Sequence, residues 1–171
     1  VLDTNPALAA SYHCDQHLHK MILESAQMLS TVARHYMPYL KNYIGYYKPT
    51  HPNHPCTQWL RQNINHCAWL VNLCKSLDSE RLAAANCVPH SSMQIVELFV
   101  DDLLHSPAIG NCEPISSDFV FAGPLQIAIR PDLRIKEKYR AYYRLKDKLW
   151  QSTGKGPMTW KNRTRPEWMN E

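Results

Sequence analysis

His13-Cys14-Asp15-Gln16-His17-Leu18-His19-Lys20-Met21-Ile22-Leu23-Glu24-Ser25-Ala26-Gln27 is the stretch on which the fold turns. At ~100° per residue, His13, His17, Lys20, Glu24 and Gln27 share one stripe of a helix. Leu18, Met21, Ile22, Met28, Leu29 and Val32 form an apolar stripe beside them. A helix patterned in this way buries its apolar side against other elements. Its polar side differs from a plain solvated face of Lys and Glu, because its groups titrate, donate, accept or ligate near neutral pH.

Working outward, Asn5 offers an N-cap and Pro6 a first helical residue, so the helix is predicted to run from 6 to about 36, where Pro38 stops it. Asp15 offers a second cap, which allows a break near Cys14 that leaves most of the stripe intact. Thr57 offers the cap of a helix to about Leu77 that turns Leu60, Ile64, Cys67, Val71 and Cys74 inward. A short helix is expected from Ser79 to just before Pro89, and another from Ser91 to His105. The stretch 110–131 reads as loop, with Phe119-Val120-Phe121 and Ile127-Ala128-Ile129 its only strand-like runs. A last helix is predicted from about Leu133 to Gln151, followed by a Gly-Pro turn and a tail. The expected fold class is all-α: one compact helical domain over 1–171, a bundle with long irregular loops.

The chain has 171 residues, 44% hydrophobic and 20% charged, which is ordinary for a globular domain. It contains no 18-residue apolar run, so no membrane partner is expected. No leader is legible at Val1. Six cysteines without a C-x-x-C pair read as buried thiols, and the expected compartment is the reducing cytoplasm. Cys14, beside the polar stripe, is placed to react or to ligate.

The net charge of +4 is concentrated from about residue 130 onward, where Lys and Arg interleave with Tyr139, Tyr142, Tyr143, Trp150, Trp160 and Trp168. A basic, aromatic segment suits a phosphate backbone with bases to stack on, which makes DNA the expected partner and Arg140, Arg144, Lys161, Arg163 and Arg165 the expected phosphate contacts. The alternative is a solvated helix face and a tail whose Trp side chains cap the core.

Two chemistries suit the stripe. His13 and His17 at i, i+4, with Glu24 and with His51 and His54 from the proline-rich loop Tyr46-Tyr47-Lys48-Pro49-Thr50-His51-Pro52-Asn53-His54-Pro55, would form a zinc or iron shell for a nuclease or an oxygenase. Alternatively, Lys20 and Glu24 lie one turn apart and provide an amine and a carboxylate for attack on a sugar carbon. An N-terminal α-amine, with a reference pKa of ~7.7 to 8.0 against ~10.4 for lysine, is the better unperturbed nucleophile.

The segment Cys14-Asp15-Gln16-His17-Leu18, with Glu24 seven residues after the histidine, resembles the Asp-Gln-His-Leu segment of the pyrimidine-dimer DNA glycosylases. These are small helical repair enzymes that also end in an aromatic segment similar to Arg165-Pro166-Glu167-Trp168. The resemblance implies that Glu24 is the catalytic carboxylate, that His17 contacts DNA and that a processed N-terminal amine is the nucleophile. The family carries arginines where Leu23 and Gln27 stand here. The whole chain also resembles an uncharacterised phage-type protein family sharing the Lys-Pro-Thr-His-x-Asn-His-Pro and Trp-Lys-Asn-Arg-x-x-Pro-Glu-Trp segments.

Together these features favour a DNA base-excising glycosylase or glycosylase/lyase without a cofactor. Glu24 would stabilise the transition state, Lys20 or the N-terminal amine would attack, and His17 would position the sugar or phosphate. His13, Gln27, His51, Asn53 and His54 would line the pocket. The alternatives are the metal-dependent enzyme just described and a non-catalytic nucleic-acid-binding or inhibitor protein that uses the stripe as its contact face.

Overall fold

In a computed structural model that describes residues 1–40, 42–108 and 119–171, local capping signals and the buried faces they flank divide the described residues into seven α-helices and a closing 3-10 turn. The helices are α1 (Pro6–Tyr12), α2 (Asp15–Tyr36), α3 (Pro55–Gln62), α4 (Ile64–Ala85), α5 (Met93–Leu104), α6 (Leu125–Ala128) and α7 (Ile135–Ser152), and the turn is Glu167–Asn170. The fold is all-α, with no strand among the described residues.

The predicted first helix is two helices. Asn5 caps α1 as expected, its side chain accepting from the Ala7 and Leu8 N–H groups, and Pro6 follows at the first turn. The break comes at His13 and Cys14, and Cys14 rather than Asp15 is the cap residue of α2. The C-terminal tail causes the break. The Cys14 N–H donates to Tyr143 Oη at 3.0 Å, and the Asp15 N–H donates to the Thr159 carbonyl at 2.8 Å. The Asp15 carboxylate accepts from the Lys161 N–H at 2.7 Å and from Arg163 at 2.8 Å. These partners satisfy a helix start that would otherwise need a continuous helix or solvent.

The second predicted helix also divides differently. His54, not Thr57, caps α3, accepting from the Cys56 N–H. Asn63 is extended (φ −153°, ψ 130°) and its side chain accepts from the Asn65 N–H, so it ends α3 and caps α4. The expected boundary near Ser79 does not exist, because α4 runs on to a left-handed Asn86 (φ 45°), a conformation that asparagine tolerates. Helix α5 starts two residues later and ends one residue earlier than predicted, and α7 starts two residues late and ends one residue late. The strand-like Ile127-Ala128-Ile129 run lies in and just after the short helix α6, while Phe119-Val120-Phe121 is irregular. The part of the predicted loop at 110–118, with Cys112, lies outside the described residues.

Helix α4 is the hub. α1, α2, α3 and α5 all pack on it, and its polar and apolar residues are scattered because it is surrounded. The larger apolar cluster contains Ile22, Leu29 and Val32 of α2, Leu60 of α3, Leu77 of α4 and Phe99 of α5. A second cluster joins Leu2, Cys14, Tyr143, Met158, Trp160, Trp168 and Met169. The aromatic tail therefore caps the core from the side of α7. None of the five described cysteines is in a disulfide; Cys14, Cys67 and Cys74 are buried, whereas Cys56 and Cys87 are only half-buried. No helix among the described residues is long and apolar enough to cross a membrane.

Candidate functional site

The polar stripe of α2 faces a cavity of about 480 Å³, within the range of small-molecule sites. His13, His17, Lys20, Glu24 and Gln27 all line it, as do His51 and His54 from the proline-rich loop. Seven of the residues expected at a site are thus brought together. Asn53 is exposed and outside the lining. The rest of the wall is aromatic and apolar, with Trp59, Trp69, Phe119, Tyr139 and Tyr142, and Trp59 stacks on His66 with ring centroids 3.9 Å apart.

At the polar end, α7 supplies two residues. Tyr143 and Lys146 lie one turn apart and both point at the start of α2. His17 Nδ1 is 2.5 Å from Tyr143 Oη, and His17 Nε2 is 3.1 Å from Lys146 Nζ. Cys14 Sγ lies 3.4 Å from the same Tyr143 hydroxyl. Both nitrogens of His17 are therefore engaged, and burial, with Lys146 as the next cause, holds its pKa down at about 3. His13 donates from Nδ1 to the Ala9 carbonyl at 2.6 Å, and burial lowers its pKa to about 4. Burial raises the Cys14 thiol above its usual value and pushes the Tyr143 phenol well up. Cys14 is consequently a buried, protonated thiol rather than a reactive one. Lys146 is lowered, first by burial and then by Lys20.

Lys20 and Glu24 form the i, i+4 pair expected of a helix surface, 3.2 Å apart with side chains 59% and 42% exposed. The Val1 end of the chain also lines the cavity. His13, His17, Glu24, His51 and His54 share the cavity without converging: among the described residues no three His, Cys, Asp or Glu side chains gather closely enough to hold a metal ion.

The expected phosphate contacts separate into two groups. Arg163, 7% exposed, binds Asp15 at 2.8 Å, Glu80 at 3.5 Å and the His13 carbonyl at 2.8 Å. Arg140 pairs with Asp3 at 3.3 Å and lies over Tyr12 and Trp168. Arg144 donates to the Trp168 carbonyl at 2.8 Å. These three guanidiniums hold the tail in place. Lys161 is exposed, and Arg165 is 41% exposed beside Asp147.

Tyr143 and Lys146 are the site residues that the sequence reading missed. Their signal was the i, i+3 spacing on an amphipathic helix, which the larger run of basic residues obscured. No protein-family model matches the chain, and it matches neither a curated protein nor a solved structure.

Proposed function

We propose that the protein is a DNA base-excising enzyme, a glycosylase or glycosylase/lyase, whose cavity receives a base turned out of the stack. The observation that carries the reading is that one cavity unites a wall of aromatic rings with an end bearing a carboxylate, two amines and two neutral imidazoles. Enzymes that act on a nucleobase need both, rings to stack on the extruded base and polar groups at the sugar. Glu24 stabilises the positive charge that develops on the sugar as the base departs. His17, neutral and fixed through both nitrogens, orients the groups around it. Lys20 and Lys161 are exposed cations available to phosphates. A nucleophilic amine completes the scheme. An N-terminal amine in a chain beginning at Val1 would stand in the same wall.

Base release from duplexes carrying ultraviolet lesions or modified pyrimidines tests the proposal. Glu24→Gln is expected to abolish release with little change in DNA affinity. Release at the unaltered rate by that variant, or no release by the unmodified protein from any such duplex, refutes it.

A further inference from the structure

Lysines are rarely taken out of water without a counter-charge, and when one is, the proton becomes easier to lose. Lys146 meets that description in its contacts. Its ammonium is half-buried on α7, and its hydrogen-bond partner is His17 Nε2 at 3.1 Å. The imidazole accepts a proton-bearing nitrogen without supplying a compensating negative charge. Glu24, the carboxylate that lines the same cavity, is already paired with Lys20, and Lys146 has no ion pair among the described residues.

The other groups facing Lys146 are Lys20 and Glu24 on α2, Cys14 at the start of α2, Lys155 after α7 and the rings of Tyr142 and Trp150, whose centroids lie 5.9 and 5.4 Å from its nitrogen. Burial and Lys20 lead, and the net effect is a lowered pKa. Lys20 has the opposite environment, being largely exposed and paired to a carboxylate.

We propose that Lys146, and not Lys20, is the amine through which the cavity bonds covalently to an aldehyde, the ring-opened sugar of an abasic DNA site. The proposal rests on the DNA reading above and specifies its nucleophile. The lone pair on Nζ attacks C1′ of the aldehyde, and the carbonyl π pair moves to oxygen. A proton passes from nitrogen to oxygen to give the carbinolamine. A second proton lets that oxygen leave as water while the nitrogen pair closes the C=N bond of an iminium. No oxidant or reductant is required. His17 acts as a positioning residue, holding one N–H of Lys146 so that the lone pair turns toward the cavity.

Two measurements on the full chain test this. In the first, the protein is incubated with a duplex containing an abasic site in the presence of borohydride, which reduces the C=N bond, and the cross-linked peptide is identified by mass spectrometry. The expected cross-link is on Lys146. It is lost in Lys146→Met and retained in Lys148→Ala, both variants being checked for native helicity. In the second, DNA is absent: glycolaldehyde and cyanoborohydride label the protein at neutral pH, and Lys146 is expected to be alkylated ahead of Lys20, Lys148 and Lys161.

A cross-link mapped to Lys20 or to the N-terminal amine overturns the assignment of Lys146 and leaves the DNA reading standing. Labelling of Lys146 by glycolaldehyde with no cross-link to any duplex overturns the DNA reading and the abasic sugar with it. Failure of Lys146 to label ahead of the exposed lysines removes the perturbed amine itself.

Discussion

His17 is bonded through both ring nitrogens, and burial disfavours the charged form of both His17 and His13. Their folded pKa values, about 3 and about 4, lie below the unfolded value of ~6.5. As pH falls below ~6.5, the unfolded chain therefore takes up protons that the folded chain refuses, and stability is lost. The loss continues until the folded values are reached and amounts to on the order of 1 kcal/mol per pH unit for each histidine. Urea midpoints measured across that window check the sign, and His17→Gln is expected to flatten the slope. Tyr143→Phe deletes the hydroxyl that accepts the Cys14 N–H and meets His17. Leaving those buried groups unpaired is expected to destabilise by about 1–3 kcal/mol in the same titration. Lys20→Ala, by contrast, removes an exposed pair and is expected to shift stability by less than ~0.5 kcal/mol. The same pattern of partners that makes Lys20 energetically minor makes Lys146 chemically distinctive.

Among the elements, the start of α2 shows how a helix boundary is imposed from outside. Asn5, Pro6 and the apolar spacing support a single helix, and nothing local forbids it. The break arises because Tyr143, Thr159, Lys161 and Arg163 occupy the backbone and side-chain groups of Cys14 and Asp15. Arg163→Met leaves Asp15 and Glu80 without their buried partner and is expected to lower stability by about 3 kcal/mol in thermal melts, with faster amide exchange at residues 15–18. The boundary at Asn63 is local in origin, since its side chain caps the helix that follows. Asn63→Ala is expected to cost about 1 kcal/mol of stability. This contrast explains the reading of the α3–α4 region. Thr57 and Asn63 are both capping residue types, and which of them caps depends on where the proline-rich loop delivers the chain.

For the whole molecule, the apolar interior divides into two clusters, and the tail supplies most of the smaller one. Deleting residues 158–171 removes Met158, Trp160, Trp168 and Met169 from around Cys14. The truncated chain is expected to lose protection of Cys14 against alkylation while Cys67, inside the larger cluster, stays protected. Mass spectrometry after timed alkylation of both chains checks this. The sequence by itself determined the all-α class, the Asn5–Pro6 helix start, the position of α5 and the face of α2 on which the titratable groups lie. Those features follow from local capping and from helical periodicity, which act over a few residues. Only the tertiary structure decided that His51 and His54 reach that face while Asn53 does not. It also decided that Arg140, Arg144 and Arg163 fasten the tail to the helices, and that Lys146 meets His17, 129 positions away. Desolvation and ion pairing depend on which groups the packing brings together, and a one-dimensional pattern carries no term for that.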